Sequence, residues 1–233
     1  MNPLASASLQ GDTQAAPNAA ASRCFALVPF AGSGSRAGTP KPKQYELIAG
    51  KSMVMHTLAA LGSVKRLQQV VVVVSPDDVH PWPQAPEWPG HFLRIHCGGA
   101  SRAESVFNGL SALLQQGQNN PEGLQAHDWI LVHDAARCLI TNVEINRLID
   151  ACQDDDVGGL LALPLPDTLK SAVNGRVSQT LPRQDKWLAQ TPQMFRAGQL
   201  HAALKAKAAE NFEGITDEAS AMEMAGFADR KSV

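Results

Sequence analysis

Cys24-Phe25-Ala26-Leu27-Val28-Pro29-Phe30 is an apolar run that passes directly into Ala31-Gly32-Ser33-Gly34-Ser35-Arg36-Ala37-Gly38-Thr39-Pro40-Lys41-Pro42-Lys43-Gln44. The run reads as a buried strand. Beyond it come small residues and cations, and glycine at such a place lets backbone N–H groups approach an anionic ligand without interference from a Cβ. Arg36 would add a planar, forked donor and Lys43 a mobile point charge to the same anion. Pro40 and Pro42 keep the segment out of a helix, so Lys43 arrives on a constrained loop. The stretch lacks the Gly-Lys-Ser/Thr ending of a P-loop and the full glycine spacing of a dinucleotide fingerprint, which weighs against kinase-type and dehydrogenase readings. Taken alone, it leaves open a Gly/Pro surface loop with solvated cations.

Further apolar segments extend the pattern on the carboxyl side. Val70–Val74, Phe92–His96, Trp129–His133 and Gly159–Pro164 read as strands, and Ser52–Leu61, Arg102–Gln115, Asn142–Cys152, Ala197–Ala209 and Asp217–Ala225 carry apolar residues at helical spacing. Strands alternating with helices predict an α/β fold, a mostly parallel sheet with helices on both faces. In such sheets ligands gather beyond the carboxyl ends of the strands, where the polar motifs of this chain fall. The segment from Pro76 to Gly90 holds Trp82, Trp88 and several prolines, and reads as a rigid irregular excursion. Residues 165–186 are polar, with Asn174-Gly175 as a hairpin signal, and predict a projecting β-arm that finds a partner by dimerisation.

The chain has 233 residues, 44% of them hydrophobic, which suits one domain with a full core. Residues 1–22 are rich in small and polar residues and read as a disordered tail, leaving 23–233 as the domain. A net charge of -2 argues against broad capture of nucleic acid, so anionic ligands must be met by local cations. No membrane span is legible. Cys24, Cys97, Cys138 and Cys152 show no zinc or disulfide spacing, which favours a reducing, cytoplasmic setting.

Val132-His133-Asp134-Ala135-Ala136-Arg137 closes a strand with a carboxylate, two small residues and a guanidinium, a set suited to a divalent cation beside a phosphate. Asp134 is the candidate metal ligand, because magnesium uses one or two carboxylates with phosphate oxygens and waters. Asp134 paired with Arg137 as a turn cap is the alternative. Gly98-Gly99-Ala100-Ser101-Arg102-Ala103-Glu104-Ser105 places glycines before a helix, with Ser105 in reach of a phosphate, or it is a plain strand-to-helix turn. Asp167-Thr168, Arg183, Thr191-Pro192-Gln193 and Thr216-Asp217-Glu218 add groups for a second anion, although for Thr216 helix capping is the favoured reading. His133 reads as a packed strand-end residue.

Together, the Ala-Gly-x-Gly-x-Arg loop with Pro42-Lys43-Gln44, Gly98-Gly99-x-x-Arg102, His133-Asp134-Ala135-Ala136-Arg137, Asp167-Thr168, Thr191-Pro192-Gln193 and Thr216-Asp217-Glu218-Ala219-Ser220 resemble the 2-C-methyl-D-erythritol 4-phosphate cytidylyltransferase family. The resemblance runs from about Cys24 to Phe227. It implies a Rossmann-like nucleotidyltransferase fold of the GT-A-like type and transfer of CMP from CTP to methylerythritol phosphate, releasing pyrophosphate, in non-mevalonate isoprenoid biosynthesis. It also implies Mg2+ and a homodimer formed through the arm.

Carried over by residue, the resemblance assigns Arg36, Lys43 and Arg183 to catalysis. It assigns Phe30, Ala31, Gly32, Gly34, Gly99, Ser105 and Ala135 to CTP, and Asp134 to magnesium. Asp134, Arg137, Thr168, Arg183, Thr191 and Thr216 would seat the acceptor, with Arg183 reaching across the dimer. Phe30 stands where the family has Ala, Ala100 where it has an acid and Cys138 where it has Pro; the first two are expected to affect the base pocket. After Ala228-Asp229-Arg230-Lys231-Ser232-Val233 the family continues with a strand bearing an Asp and a Lys and then a helix. Two alternatives accompany the resemblance: a ribitol-phosphate-type cytidylyltransferase, and a truncated homologue that binds nucleotide without turnover.

Overall fold

A computed structural model describes residues 22–32, 45–79, 91–228 and 230–232, the last three as backbone. The 1–21 part of the predicted tail, Gly34, Arg36, Lys43 and most of the Pro76–Gly90 excursion lie outside the described residues.

Alternating apolar side chains build the sheet. In β1 (Cys24–Pro29), Cys24, Ala26 and Val28 face one core cluster while Phe25 and Leu27 face the other. β4 (Leu67–Val73) divides in the same way, with Val70 and Val72 on one side and Val71 and Val73 on the other. These strands are apolar on both faces because helices cover both. α1 (Met53–Gly62) and α3 (Asn142–Cys152) supply Leu58, Leu61, Ile145 and Leu148 to the first cluster. α2 (Arg102–Asn119), α4 (Ala197–Ala208) and α5 (Glu218–Met224) supply Leu110, Leu200 and Met222 to the second.

The other strands are β2 (Leu47–Ile48) and β3 (Lys51–Ser52), which pair as a small separate ribbon, then β5 (Phe92–Ile95), β6 (Trp129–Val132), β7 (Gly158–Pro164), β8 (Leu169–Val173), β9 (Arg176–Leu181), β10 (Trp187–Arg196) and β11 (Arg230–Ser232). The main sheet runs β11-β7-β10-β6-β1-β4-β5. Its pairs are parallel except that β10 runs antiparallel to both β6 and β7. The predicted α/β architecture is therefore present, with an antiparallel insertion that the sequence reading did not foresee. β11 pairs in parallel with β7 through Arg230, Lys231 and Ser232, so the end of the described chain contributes a strand to the sheet edge where none was expected.

β8 and β9 form a two-stranded hairpin apart from the main sheet, as the arm prediction required. At its tip Asn174 and Gly175 have φ of 50° and 75°, the pair of positive values that a tight twisted hairpin turn demands. Gly158 opens β7 with φ 118°, and a Cβ there would stand 2.1 Å from the Met194 carbonyl oxygen of β10. Only glycine lets the two strands close at that point.

Local chemistry fixes the helix starts. Thr141 and Glu144 form a reciprocal capping box on α3, and Ser101 accepts from the Glu104 amide at the start of α2. Beneath the sheet's amino end, buried Asp128 accepts from the Arg23 amide at 3.0 Å, the Arg23 Nη2 at 2.7 Å and the Gln125 amide at 2.9 Å. Burial alone would raise this carboxyl; the Arg23 and backbone donors outweigh it and hold it below its usual range. Among the described residues, no helix is long and apolar enough to cross a membrane.

Candidate active site

Three loops meet beyond the carboxyl ends of β1, β4, β5 and β6. The loop after β5 lies against the ends of both β4 and β1: Gly98 donates its amide to the Val74 oxygen at 2.8 Å, and a Cβ on Gly98 would stand 2.1 Å from the Ala31 Cβ. Ala31 and Gly99 are thus carried on adjoining loops, as their shared assignment to one ligand requires.

The glycine loop is braced by the helix that follows it. The Gly99 amide donates to Ser105 Oγ at 3.0 Å, Ser105 Oγ donates to the Ser101 oxygen at 2.8 Å, and the Ala100 amide donates to Glu104 Oε2 at 2.7 Å. Ser105 is buried, and its hydroxyl serves the loop rather than standing free for a phosphate. Phe30 is also turned inward. Its ring packs edge-on against Tyr45 at 5.0 Å within the α1/α3 core, and its amide bonds the Val73 oxygen at 2.8 Å. The Phe30 side chain is a core element, which leaves its backbone as the part that faces the loop.

The loop after β6 is held from two sides. Thr57 of α1, fully buried, donates its hydroxyl to the Ala135 oxygen at 2.9 Å, which ties up that carbonyl. On the other side Thr191 of β10 accepts from the Asp134 amide at 3.2 Å and lies 3.0 Å from His133 Nδ1. Because the Arg137 carbonyl oxygen 3.2 Å from Nε2 can only accept, the neutral imidazole carries its proton on Nε2, and Nδ1 accepts from the Thr191 hydroxyl. Burial, the largest influence on His133, pushes its imidazole down to about 4 and keeps it neutral. His133 is the packed strand-end residue expected, but it also orients the loop. Thr191 is itself buried, and its hydroxyl is engaged by the loop.

The Asp134 carboxylate is gripped by two guanidinium groups. Arg102 Nε lies 2.7 Å from Oδ1 and Arg137 Nε 3.1 Å from Oδ2. The remaining face of Arg102 meets Glu218 in a fork, Nη1 to Oε1 at 2.6 Å and Nη2 to Oε2 at 2.9 Å. Arg137 extends the chain to Gln190 Oε1. Burial by itself would raise the Asp134 carboxyl, yet Arg102 and Arg137 hold it below the usual range. Glu218 differs: burial pushes its carboxyl up, with Arg102 opposing.

An ionised carboxylate offers about four acceptor positions, so Asp134 keeps lone pairs beyond the two its arginines take. Among the described residues, no group of three metal-ligating side chains occurs. This donor set fits a magnesium that arrives on nucleotide phosphates and uses one protein carboxylate; it does not build a protein cage.

The remaining assigned residues fall in separate places. Arg137 and Thr191 line a cavity of about 690 Å3 together with His133, Gln190, Leu139 and Met53. Thr216 lines another of about 500 Å3 with Trp187, Asp217 and Glu223. The helix cap there is Asp217, which exchanges bonds with Ser220, so the cap falls one residue beyond Thr216. Thr168 and Arg183 are exposed at the base of the arm, where Arg183 donates to the Pro166 oxygen.

Sequence reasoning gave no role to Gln190 or Thr57, and used Arg102 and Glu218 only as parts of motifs. For Arg102 the sequence held a general signal, since it stands at the first position of a helix, where the dipole disfavours a cation and calls for a nearby anion, but that signal does not identify Glu218 as the anion.

An open, mostly parallel sheet with glycine loops and a charged cluster gathered beyond its strand ends defines a nucleotide-handling α/β enzyme. The signature of the family described as "IspD: 2-C-methyl-D-erythritol 4-phosphate cytidylyltransferase" matches residues 24–231. The 2-C-methyl-D-erythritol 4-phosphate cytidylyltransferase of Laribacter hongkongensis is 50% identical over 214 residues, which cover 90% of this chain and 86% of that protein. The bifunctional enzyme IspD/IspF of Albidiferax ferrireducens is 56% identical over 208 residues, 89% of this chain but only 47% of its own length. In three dimensions a crystal structure of 4-diphosphocytidyl-2C-methyl-D-erythritol synthase is similar, with a TM-score of 0.73 and 37% identity over 90% of this chain and 88% of that one. The chain belongs to the 2-C-methyl-D-erythritol 4-phosphate cytidylyltransferase family.

Proposed function

We propose that this chain transfers CMP from CTP to 2-C-methyl-D-erythritol 4-phosphate. An acceptor phosphate oxygen bonds to the α-phosphorus of CTP, the bond from that phosphorus to the bridging oxygen of the β-phosphate breaks, and pyrophosphate leaves with the electron pair. The acceptor phosphate is already an anion, so the protein needs no general base, and positioning with charge stabilisation can carry the catalysis. The observation that carries the reading is the loop after β6, anchored by Thr57 and Thr191, which sets Asp134 and Arg137 beyond the sheet within the stretch that matches the family.

In this reading the loops bearing Ala31, Gly32 and Gly99 receive the nucleotide, and Arg36 and Lys43 take up charge on the α-phosphate and the leaving pyrophosphate. Arg137 meets the acceptor. Magnesium, held at Asp134, would neutralise phosphate charge. Thr168 and Arg183 also meet the acceptor, with Arg183 acting across a homodimer built on the β8–β9 arm; the arm's exposed Val173 and Val177 support such a contact. Free cysteines throughout the described residues are consistent with a cytoplasmic setting.

Pyrophosphate release by the purified chain with CTP, magnesium and methylerythritol phosphate tests the proposal, against ribitol phosphate and no-acceptor controls. Release that depends on methylerythritol phosphate is expected. A folded protein that binds CTP but releases nothing with this acceptor overturns the reading.

A further inference from the structure

The Arg102 guanidinium is shared between two elements that are distant in sequence. Glu218, at the start of α5, takes both terminal nitrogens, and Asp134, after β6, takes Nε. The Glu218 side chain is 2% exposed, and Arg102 and Asp134 are about one-third exposed. Arg102 therefore has one end in the core and the other at the site surface. A two-point hold by the planar fork leaves Nε a single direction, and that direction is Asp134 Oδ1. α5 is itself fixed to β10, because Gln193 accepts from the Ala219 amide at 2.8 Å and donates to Asp217 Oδ2 at 2.8 Å. The anchoring thus runs from β10 through α5 and Glu218 to Arg102, Asp134 and Arg137.

We propose that Arg102, locked by Glu218, is a positioning residue for the transfer reaction: it fixes the Asp134 carboxylate and, through it, Arg137. This rests on the function proposed above. Arg102 need not touch either substrate, and its effect should pass through Asp134.

The test compares wild type with Arg102→Lys, Glu218→Gln, Asp134→Asn and the Arg102→Lys/Asp134→Asn double variant, each checked for folding by circular dichroism. Lysine keeps the charge but has no fork, and glutamine keeps the shape of Glu218. Both single variants should lose kcat by about tenfold or more while the KM for CTP stays within about twofold, because misplacement is felt in the reacting geometry. The double variant should be no slower than Asp134→Asn alone. A folded Arg102→Lys enzyme with wild-type kcat, or losses that multiply in the double variant, overturns the proposal.

Should wild type itself be silent, the function reading fails, and crystal structures of wild type and Glu218→Gln decide the clamp separately. An Asp134 rotamer that changes in Glu218→Gln supports it, and one that stays overturns it. If Glu218→Gln does not fold, the same comparison is made with Arg102→Lys.

Discussion

Thr191 and His133 form a closed polar pair inside the sheet: Thr191 Oγ1 lies 3.0 Å from His133 Nδ1, both residues are buried, and the same hydroxyl receives the Asp134 amide. A residue of the antiparallel strand thereby sets the first step of the loop after β6. Thr191→Val keeps the shape and removes the hydroxyl, leaving a ring nitrogen and an amide without their partner. It should cost about 1–3 kcal/mol, read as a lower urea midpoint. Turnover should fall as well, because Asp134 loses its backbone anchor. An unchanged midpoint would mean that water replaces the hydroxyl at no cost.

The same histidine makes stability depend on pH. Its imidazole lies at about 4 in the fold against 6.5 ordinarily, so between those values the unfolded chain takes up a proton that the fold refuses. Stability is therefore complete above about pH 6.5, declines as pH falls toward about 4 and levels off below, a change on the order of 3 kcal/mol at about 1.4 kcal/mol per unit. Urea unfolding at two pH values spanning that range should show a smaller shift for His133→Gln than for wild type. Equal shifts would assign the titration to other groups.

Gly158→Ala should be among the most disruptive small changes in the chain. Its methyl would overlap the Met194 oxygen at 2.1 Å, with the backbone at φ 118°. Strain and forced separation of β7 from β10 together should cost about 3 kcal/mol or more. Thermal melting reads it directly, and a melting temperature equal to wild type would show that the strands close differently from the arrangement described.

Val177→Lys tests the arm. Val173 and Val177 are 62% and 66% exposed on a hairpin that shares no sheet with the core. Charge at Val177 should shift the sedimentation profile from dimer to monomer while leaving the melting of the isolated subunit within about 0.5 kcal/mol of wild type, as for other surface changes. A monomeric wild-type protein, or a variant that sediments unchanged, would remove the arm from that role.

Much of the scaffold was legible because it follows local rules. Asn142–Cys152 is helical over the range its periodicity indicates, with Thr141 and Glu144 capping it, and Asn174-Gly175 turns where its composition directs. The antiparallel β10 was not legible. Its centre, Gln190-Thr191-Pro192-Gln193, is polar and carries a proline, which argues against a central strand; the structure accommodates it by leaving 190–192 out of register with β7, around a cis Thr191–Pro192 bond. Of the charged cluster, Asp134 and Arg137 were singled out through their neighbours in sequence. Glu218 was not, because nothing local distinguishes an acid that begins a helix in water from one buried on an arginine 116 residues away. Ser105 and Thr191 were placed near the site for their hydroxyls, but sequence gives no means of telling which polar groups the loop itself consumes.

β10 gives the chain one span of fixed parity beside one of free length. Trp187–Ala189 pair with β7 at the arm's base and Gln193–Arg196 pair with β6 at the sheet's centre, and side chains alternate between faces within each paired stretch. One residue inserted between Met194 and Phe195 would put side chains on the wrong faces, exchanging positions between the two core clusters that Met194 and Phe195 enter, so the Gln193–Arg196 span admits no odd change. At Asn174-Gly175, on the far side of β9, added length costs only slow-growing loop entropy. Length variation among chains of this design should therefore collect at the hairpin tip and be absent from the strand that follows it.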